Sequence, residues 1–155
     1  MAAGDDAAVL SAPYAVEFTY TRSVGPVIER FFTGLAEGRI QGIRDSQGRV
    51  IVPPQEYDPQ TAAPLEEWVD VGDTGTVLTW GWSTSPPPGQ PLDKPFAWAL
   101  IQLDGADVGF LHAVDAGDES RMSTGMRVRA RWAAEPVADI SAIECFVPDE
   151  RGEPK

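Results

Sequence analysis

Apolar residues recur along this chain at two different periods, and the change from one to the other divides it. Val27, Ile28, Phe31, Phe32 and Leu35 lie three and four apart, which predicts an amphipathic helix over 24–36. Ser23 precedes it as a cap, Pro26 suits the first turn, and Gly38 ends it. Two fates are open for the adjacent Phe31 and Phe32, the core or a partner interface. Upstream, Tyr14, Val16, Phe18 and Tyr20 alternate with Ala15, Glu17, Thr19 and Thr21, a period of two that fits a strand or an extended arm lying on a partner. Residues 1–13 are mostly Ala, Gly and Asp with little to bury, so 1–21 is expected to be a flexible arm. Next comes GLAEGRIQGIRDSQGRVIVPP (34–54), in which two short extended pieces flank the turn Asp45-Ser46-Gln47-Gly48 and Pro53-Pro54 makes a rigid exit.

From residue 64 onward the period is two. Strand-like runs at 65–71, 75–85, 95–103, 108–114, 126–133 and 140–147 are separated by Gly, Pro and Asp turn signals. Five or six strands after one helix predict a mostly β fold with an OB-type barrel, a sandwich being the alternative. The expected organisation is an arm (1–21), a helix and knuckle (22–63), a barrel (64–148) and a tail (149–155). Within the barrel, Leu78, Trp80 and Trp82 are expected to share the inner face. The run 95–103 is apolar on both faces, Phe96, Trp98 and Leu100 against Ala97, Ala99, Ile101 and Leu103. Such a strand needs a cover on each side, so its outer face calls for the helix or another protein.

Charge narrows the partners. Twelve basic against 24 acidic residues give a net charge of −12, which repels polyanions and speaks against nucleic acid. One local exception is Arg127, Arg129 and Arg131, which alternate along a strand and so share a face. That face is either solvated or a site for a phosphate-bearing ligand such as CoA, with Trp80 and Trp82 as further candidate contacts. No run approaches the roughly 20 apolar residues of a membrane span. The opening MAAGDDAAVLSAP has neither the basic nor the long apolar part of a signal peptide, so a cytoplasmic location is expected.

Catalytic chemistry has few candidates. His112 is the one histidine and Cys145 the one cysteine, each inside a strand pattern, which speaks against a nucleophilic triad. Glu66-Glu67 and Asp118-Glu119 are sequence neighbours and read as solvated carboxylates, and Gly72-Asp73-Thr74-Gly75 lacks the lysine of a phosphate loop.

The order FFTGLAEGRIQGIRDSQGRVIVPP, WVDVGDTGTVLTW, PFAWALIQLDGADVGFLHAV and GMRVRARW resembles the acyl-CoA-associated family known as domain of unknown function thirty-five, over nearly the whole chain after Tyr20. The resemblance implies a helix, a rubredoxin-like zinc ribbon and an OB barrel, the ribbon marked by two C-x-x-C pairs around the run that here reads Gly48-Arg49-Val50-Ile51-Val52-Pro53-Pro54. Anchored on that run, the cysteine positions fall on Arg44, Gln47, Asp58 and Thr61. None is a thiolate, so a degenerate, metal-free knuckle is expected. The resemblance further implies a non-catalytic subunit, with no cofactor of its own, that helps form the acyl-CoA site of a thiolase-like, lipid-transfer-type enzyme. The version in view is a retro-aldol carbon–carbon lyase acting on a steroid side chain, with two copies of each chain. Val27, Phe31, Phe32, Leu35, Arg39, Ile40, Val52 and Pro53 are the expected interface. The alternatives are an OB-fold nucleic-acid binder, an accessory subunit of an acyltransferase, thiolase or enoyl-CoA hydratase complex, and an independent hydrolase or lyase.

Overall fold

The computed structural model describes residues 12–18 and 23–150. Most of the expected arm and tail, 1–11, 19–21 and 151–155, lies outside the described residues. Residues 12–18 form no strand, and Tyr14 and Phe18 are almost fully exposed.

Helix α1 (Gly25–Ala36) runs where the apolar stripe places it. The Ser23 hydroxyl accepts a hydrogen bond from the Gly25 amide at 3.3 Å, and Pro26 sits in the first turn. At its other end Gly38 takes a positive φ of 73°, and Gly38 and Arg39 donate back to the carbonyls of Leu35 and Gly34. That double closure is how a glycine ends a helix while satisfying its last carbonyls.

Strands β1 (Ile40–Arg44) and β2 (Val50–Ile51) form the expected hairpin, Ile43 opposite Ile51. Strand β3 (Trp68–Val71) pairs with the other edge of β1, completing a three-stranded sheet in the order β2-β1-β3. The run at 65–71, expected in the barrel, therefore belongs to the knuckle sheet. Gly42 allows this crowding, since a Cβ there would lie 2.7 Å from the Val50 side chain and 2.9 Å from the Ile51 carbonyl.

The remaining strands are β4 (Thr74–Ser83), β5 (Phe96–Leu103), β6 (Phe110–Val114), β7 (Arg127–Trp132) and β8 (Ile143–Pro148). They close a barrel in the order β4-β5-β6-β8-β7, so the fold is mostly β with an OB-like barrel and one N-terminal helix. Every pairing is antiparallel except β6 with β8. Closure leaves this sheet with no free edge.

Val77, Ile101, Phe110, Val128 and Phe146 fill one continuous core, and Phe31 and Leu35 of α1 belong to it. The helix packs against β1 and the short 3-10 turn Ile140–Ala142. One expectation about faces fails here. A bulge between Val77 and Thr79 shifts the pairing with β5, turning Val77 inward and Leu78 outward, so Leu78 does not share a face with Trp80 and Trp82. The two tryptophans pack, half-buried, against the core.

Candidate functional site

Three arrangements carry chemistry beyond packing, and the knuckle holds the first. Asp45 and Asp58 are 5% and 3% exposed, yet both are carboxylates. Asp45 Oδ1 accepts from the amides of Gln47 (2.9 Å) and Arg49 (2.8 Å), while Oδ2 accepts from Arg49 Nε (2.8 Å). Asp58 Oδ1 accepts from the amides of Gln60 (2.7 Å) and Thr61 (2.9 Å), and Oδ2 reaches back to the Ser46 amide (2.7 Å). One side chain thus ties two turns 12 residues apart. These amide bonds, led by that from Ser46, hold the Asp58 carboxyl well below the ordinary range despite its burial. For Asp45 burial pushes upward, but the bonds from Arg49 and Gln47 outweigh it and the carboxyl again titrates low.

Zinc does not fit here. Arg44 directs its guanidinium at Glu67 (2.7 Å) and the Gly48 carbonyl (2.8 Å), and both Asp58 oxygens are engaged by amides. Among the described residues no group of three His, Cys, Asp or Glu could hold a metal. A carboxylate cross-link between two turns stands where the family pattern would place the ion.

The second arrangement is the outer face of β5 and β6. Ala97, Ala99, Ile101 and Leu103 point inward and are fully buried. Trp98 and Leu100 point outward, each 36% exposed, and Leu111, paired across from Leu100, is 59% exposed. Leu78 lies beside Leu100, both in contact range of Gly109. Since α1 packs against β1 and Ile140–Ala142, it does not cover this face; at one end Leu92 packs with Phe96 and Ala113 and buries them, while Trp98, Leu100 and Leu111 stay partly exposed. At its edge, Trp98, Leu111, Ile140 and Ile143 line an apolar cleft of about 440 Å³, with the 89–91 loop opposite and His112 in the wall. His112 is buried against Phe110 and Phe146, and burial lowers its pKa, so it stays neutral near pH 7 while Nδ1 accepts from the Ala113 amide at 3.0 Å. Cys145 is buried as well, its thiol pushed up to about 11 chiefly by desolvation, which keeps it protonated and poorly nucleophilic.

The third is a groove of about 620 Å³ beside β7 and β8, lined by Lys94, Arg121, Arg129 and Arg131 together with Asp115, Asp149 and Glu150. The three β7 arginines share a face, as their alternation predicts, but not a role. Arg127 is bound to Asp104 through both nitrogens (2.8 and 2.5 Å) and to Thr76 (3.1 Å), outside the groove. Arg131 bridges Asp115 (3.1 Å) and Glu144 (2.9 Å). Arg129 has no ion pair or side-chain hydrogen bond among the described residues. Lys94 comes from the loop before β5 and Arg121 from the 3-10 turn Glu119–Arg121, and neither carries a signal in the sequence that links it to β7. Trp80 and Trp82 are not part of this groove.

Half of the expected interface is corrected. Phe31, Leu35, Ile40 and Val52 are 0–3% exposed inside this chain, because the helix stripe and β1 pack on each other and on the barrel. They are core and have no surface to offer. Val27 and Phe32 are half-buried, Arg39 is exposed and paired with Glu37, and Pro53, after a cis peptide, is exposed. The uncovered apolar surface lies instead on β5 and β6, where Trp98, Leu100 and Leu111 were not assigned a site, although the two-sided apolar run of β5 pointed there.

Residues 68–133 match the family described as "ChsH2, C-terminal OB-fold domain". No curated protein matches the chain. Among solved structures, a DUF35-family protein of unknown function from Sulfolobus solfataricus shares the fold with a TM-score of 0.61 and 22% identity, over 81% of this chain and 85% of that one. A structure named Ltp2-ChsH2(DUF35) aldolase aligns with a TM-score of 0.60 and 19% identity, over 83% of this chain and 98% of that one. The likeness to domain of unknown function thirty-five, read from the residues, is borne out by these findings.

Proposed function

From this DUF35-type OB fold we propose that the chain is a non-catalytic subunit of an aldolase complex, docking on its enzyme through the apolar outer face of β5 and β6. The observation that carries the reading is the row Leu78, Leu100, Trp98 and Leu111, exposed side by side on a rigid, closed sheet. Leaving such a row in water is unfavourable at roughly 25 cal/mol per Å² of apolar surface, and covering it on assembly recovers that. A structure named as an aldolase of Ltp2 and ChsH2(DUF35) shares the fold, which supports the kind of partner. The chemistry left to this chain agrees: its cysteine is protonated, its histidine is bound in the core, and its buried carboxylates are engaged by backbone amides or by Arg and Lys side chains. In finer detail, the partner is a thiolase-like, lipid-transfer-type enzyme, the substrate an acyl-CoA thioester such as a steroid side chain cleaved by retro-aldol chemistry, and the assembly two copies of each chain.

Co-expression with a thiolase-like aldolase from the same organism tests this. The expected result is a complex that co-elutes and cleaves its aldol substrate faster than the enzyme alone. Separate elution, with the enzyme fully active by itself, would overturn it.

A further inference from the structure

A strand without a sheet and a sheet edge without a strand occur on this one chain. Tyr14, Val16 and Phe18 alternate with Ala15 and Glu17, and Thr19, Tyr20 and Thr21 prolong a run rich in aromatic and β-branched residues. Residues 12–18 nevertheless pair with no strand of their own chain, and Tyr14 and Phe18 are 89% and 82% exposed. Neither the backbone of this segment nor its large side chains are covered.

The barrel cannot take this strand up, because it is closed. The knuckle sheet has two edges, and at β2 the amide and carbonyl of Val50 are both bonded to Asp107. At β3 no backbone group of Trp68–Val71 bonds to anything but β1 among the described residues. This edge is therefore open, and Trp68, Val69 and Val71 along it are only half-buried, which leaves them flanks for a further strand to cover. The arm also departs close by. A Cβ on Gly25, the first residue of α1, would lie 2.6 Å from the Glu56 carboxylate, and the Glu56 carbonyl accepts from the Leu65 amide at 2.9 Å, just ahead of β3. Farther along α1 the Arg30 guanidinium stacks 4.1 Å from the centre of the Trp68 ring. The six residues between Phe18 and Gly25 span about 20 Å when extended, enough to cross to a copy lying alongside. Exchange between two copies gives every arm an edge and every edge an arm, and because the contact is the same in both directions it closes as a two-fold dimer.

We propose that the N-terminal arm adds as a strand to β3 of a second copy of this chain, with main-chain hydrogen bonds supplying the grip and Tyr14, Val16 and Phe18 the apolar cover. The contact uses neither the outer face of β5 and β6 nor any group of another enzyme, so it stands or falls apart from the subunit reading.

Sedimentation velocity of the full chain alone, across a wide range of concentration, tests the exchange. A dimer that dissociates on dilution is expected, and a chain starting at Ser23 should fold and stay monomeric. Successive amides of a strand point to opposite sides, so one of the two substitutions Val16→Pro and Glu17→Pro must remove a bond to β3 and weaken dimerisation about ten-fold or more. Val16→Thr, which keeps both the amide and the β-branch, should still form the dimer. Hydrogen exchange at Trp68–Val71 should be slower in the dimer than in the chain starting at Ser23. A full chain that stays monomeric at every concentration, a dimer that survives loss of the arm, or a dimer indifferent to both prolines would each overturn the exchange. So would slowed exchange at β3 in a monomer, since the arm would then be docked on its own edge.

Discussion

The barrel and the knuckle sheet are both β structures, but they hold together by different means. In the barrel, five strands close around a continuous apolar core, and Phe110 and Phe146 meet edge to face at 6.4 Å within it. Burial is proportional to area and has no direction, so such a core tolerates small local shifts, as the bulge at Val77 illustrates. The knuckle sheet has strands of two to five residues, too small to enclose a core of its own. Its turns are held by directional bonds to two buried carboxylates, and its edge is fastened to the barrel by Asp107, which accepts from the Val50 amide at 2.8 Å and donates its own amide to the Val50 carbonyl at 2.9 Å. A small element can be made rigid without metal if enough backbone amides converge on a few acceptors.

The largest expected effect probes where the two regions meet. Phe31→Ala should remove about 3–5 kcal/mol of stability in urea unfolding, because the ring belongs to the shared core. Undiminished stability with loss of complex would return Phe31 to an interface. Gly75→Ala should cost about 1–3 kcal/mol, since its Cβ would lie 2.6 Å from the Gln102 carbonyl, a backbone atom that cannot turn aside. In the knuckle, Gly48→Ala meets open space and only its φ of 81° opposes it, at about 1–2 kcal/mol.

The knuckle should respond to acid through Asp58. Asp58 has a folded pKa below its unfolded one, so its contribution is present above the unfolded value, near 4, and is lost as pH falls through the folded one. Asp58→Asn should therefore lower the melting temperature by several degrees at pH 7, and the gap from the native chain should narrow below about pH 4. A gap independent of pH would mean that shape, not charge, makes Asp58 fit. The smallest effect on stability belongs to the outer face: Leu111→Asp should change unfolding free energy by no more than about 0.5 kcal/mol while abolishing co-elution with the enzyme.

Much of the fold was legible from spacing alone. The 3-4 spacing from Val27 to Leu35 and the glycine at 38 marked α1, and alternation between turn signals marked the barrel strands, because these periods report which side of an element faces the core. Alternation foretold inside and outside only while the pairing register held, and no feature of TVLTW announced the bulge that reversed Leu78. The choice of a partner for each charge was also beyond reach of spacing: Arg127, Arg129 and Arg131 look equivalent in sequence, yet Asp104 lies 23 residues away and Asp115 16 residues away, and only chain closure brings them to two of the three. Asp58 is the sharpest case. In sequence it is a loop carboxylate at the place of an absent cysteine, and tertiary structure alone buries it and turns three amides toward it. Local periodicity is a property of neighbours along the chain, whereas burial and ionic pairing depend on residues far apart, which no window of sequence contains.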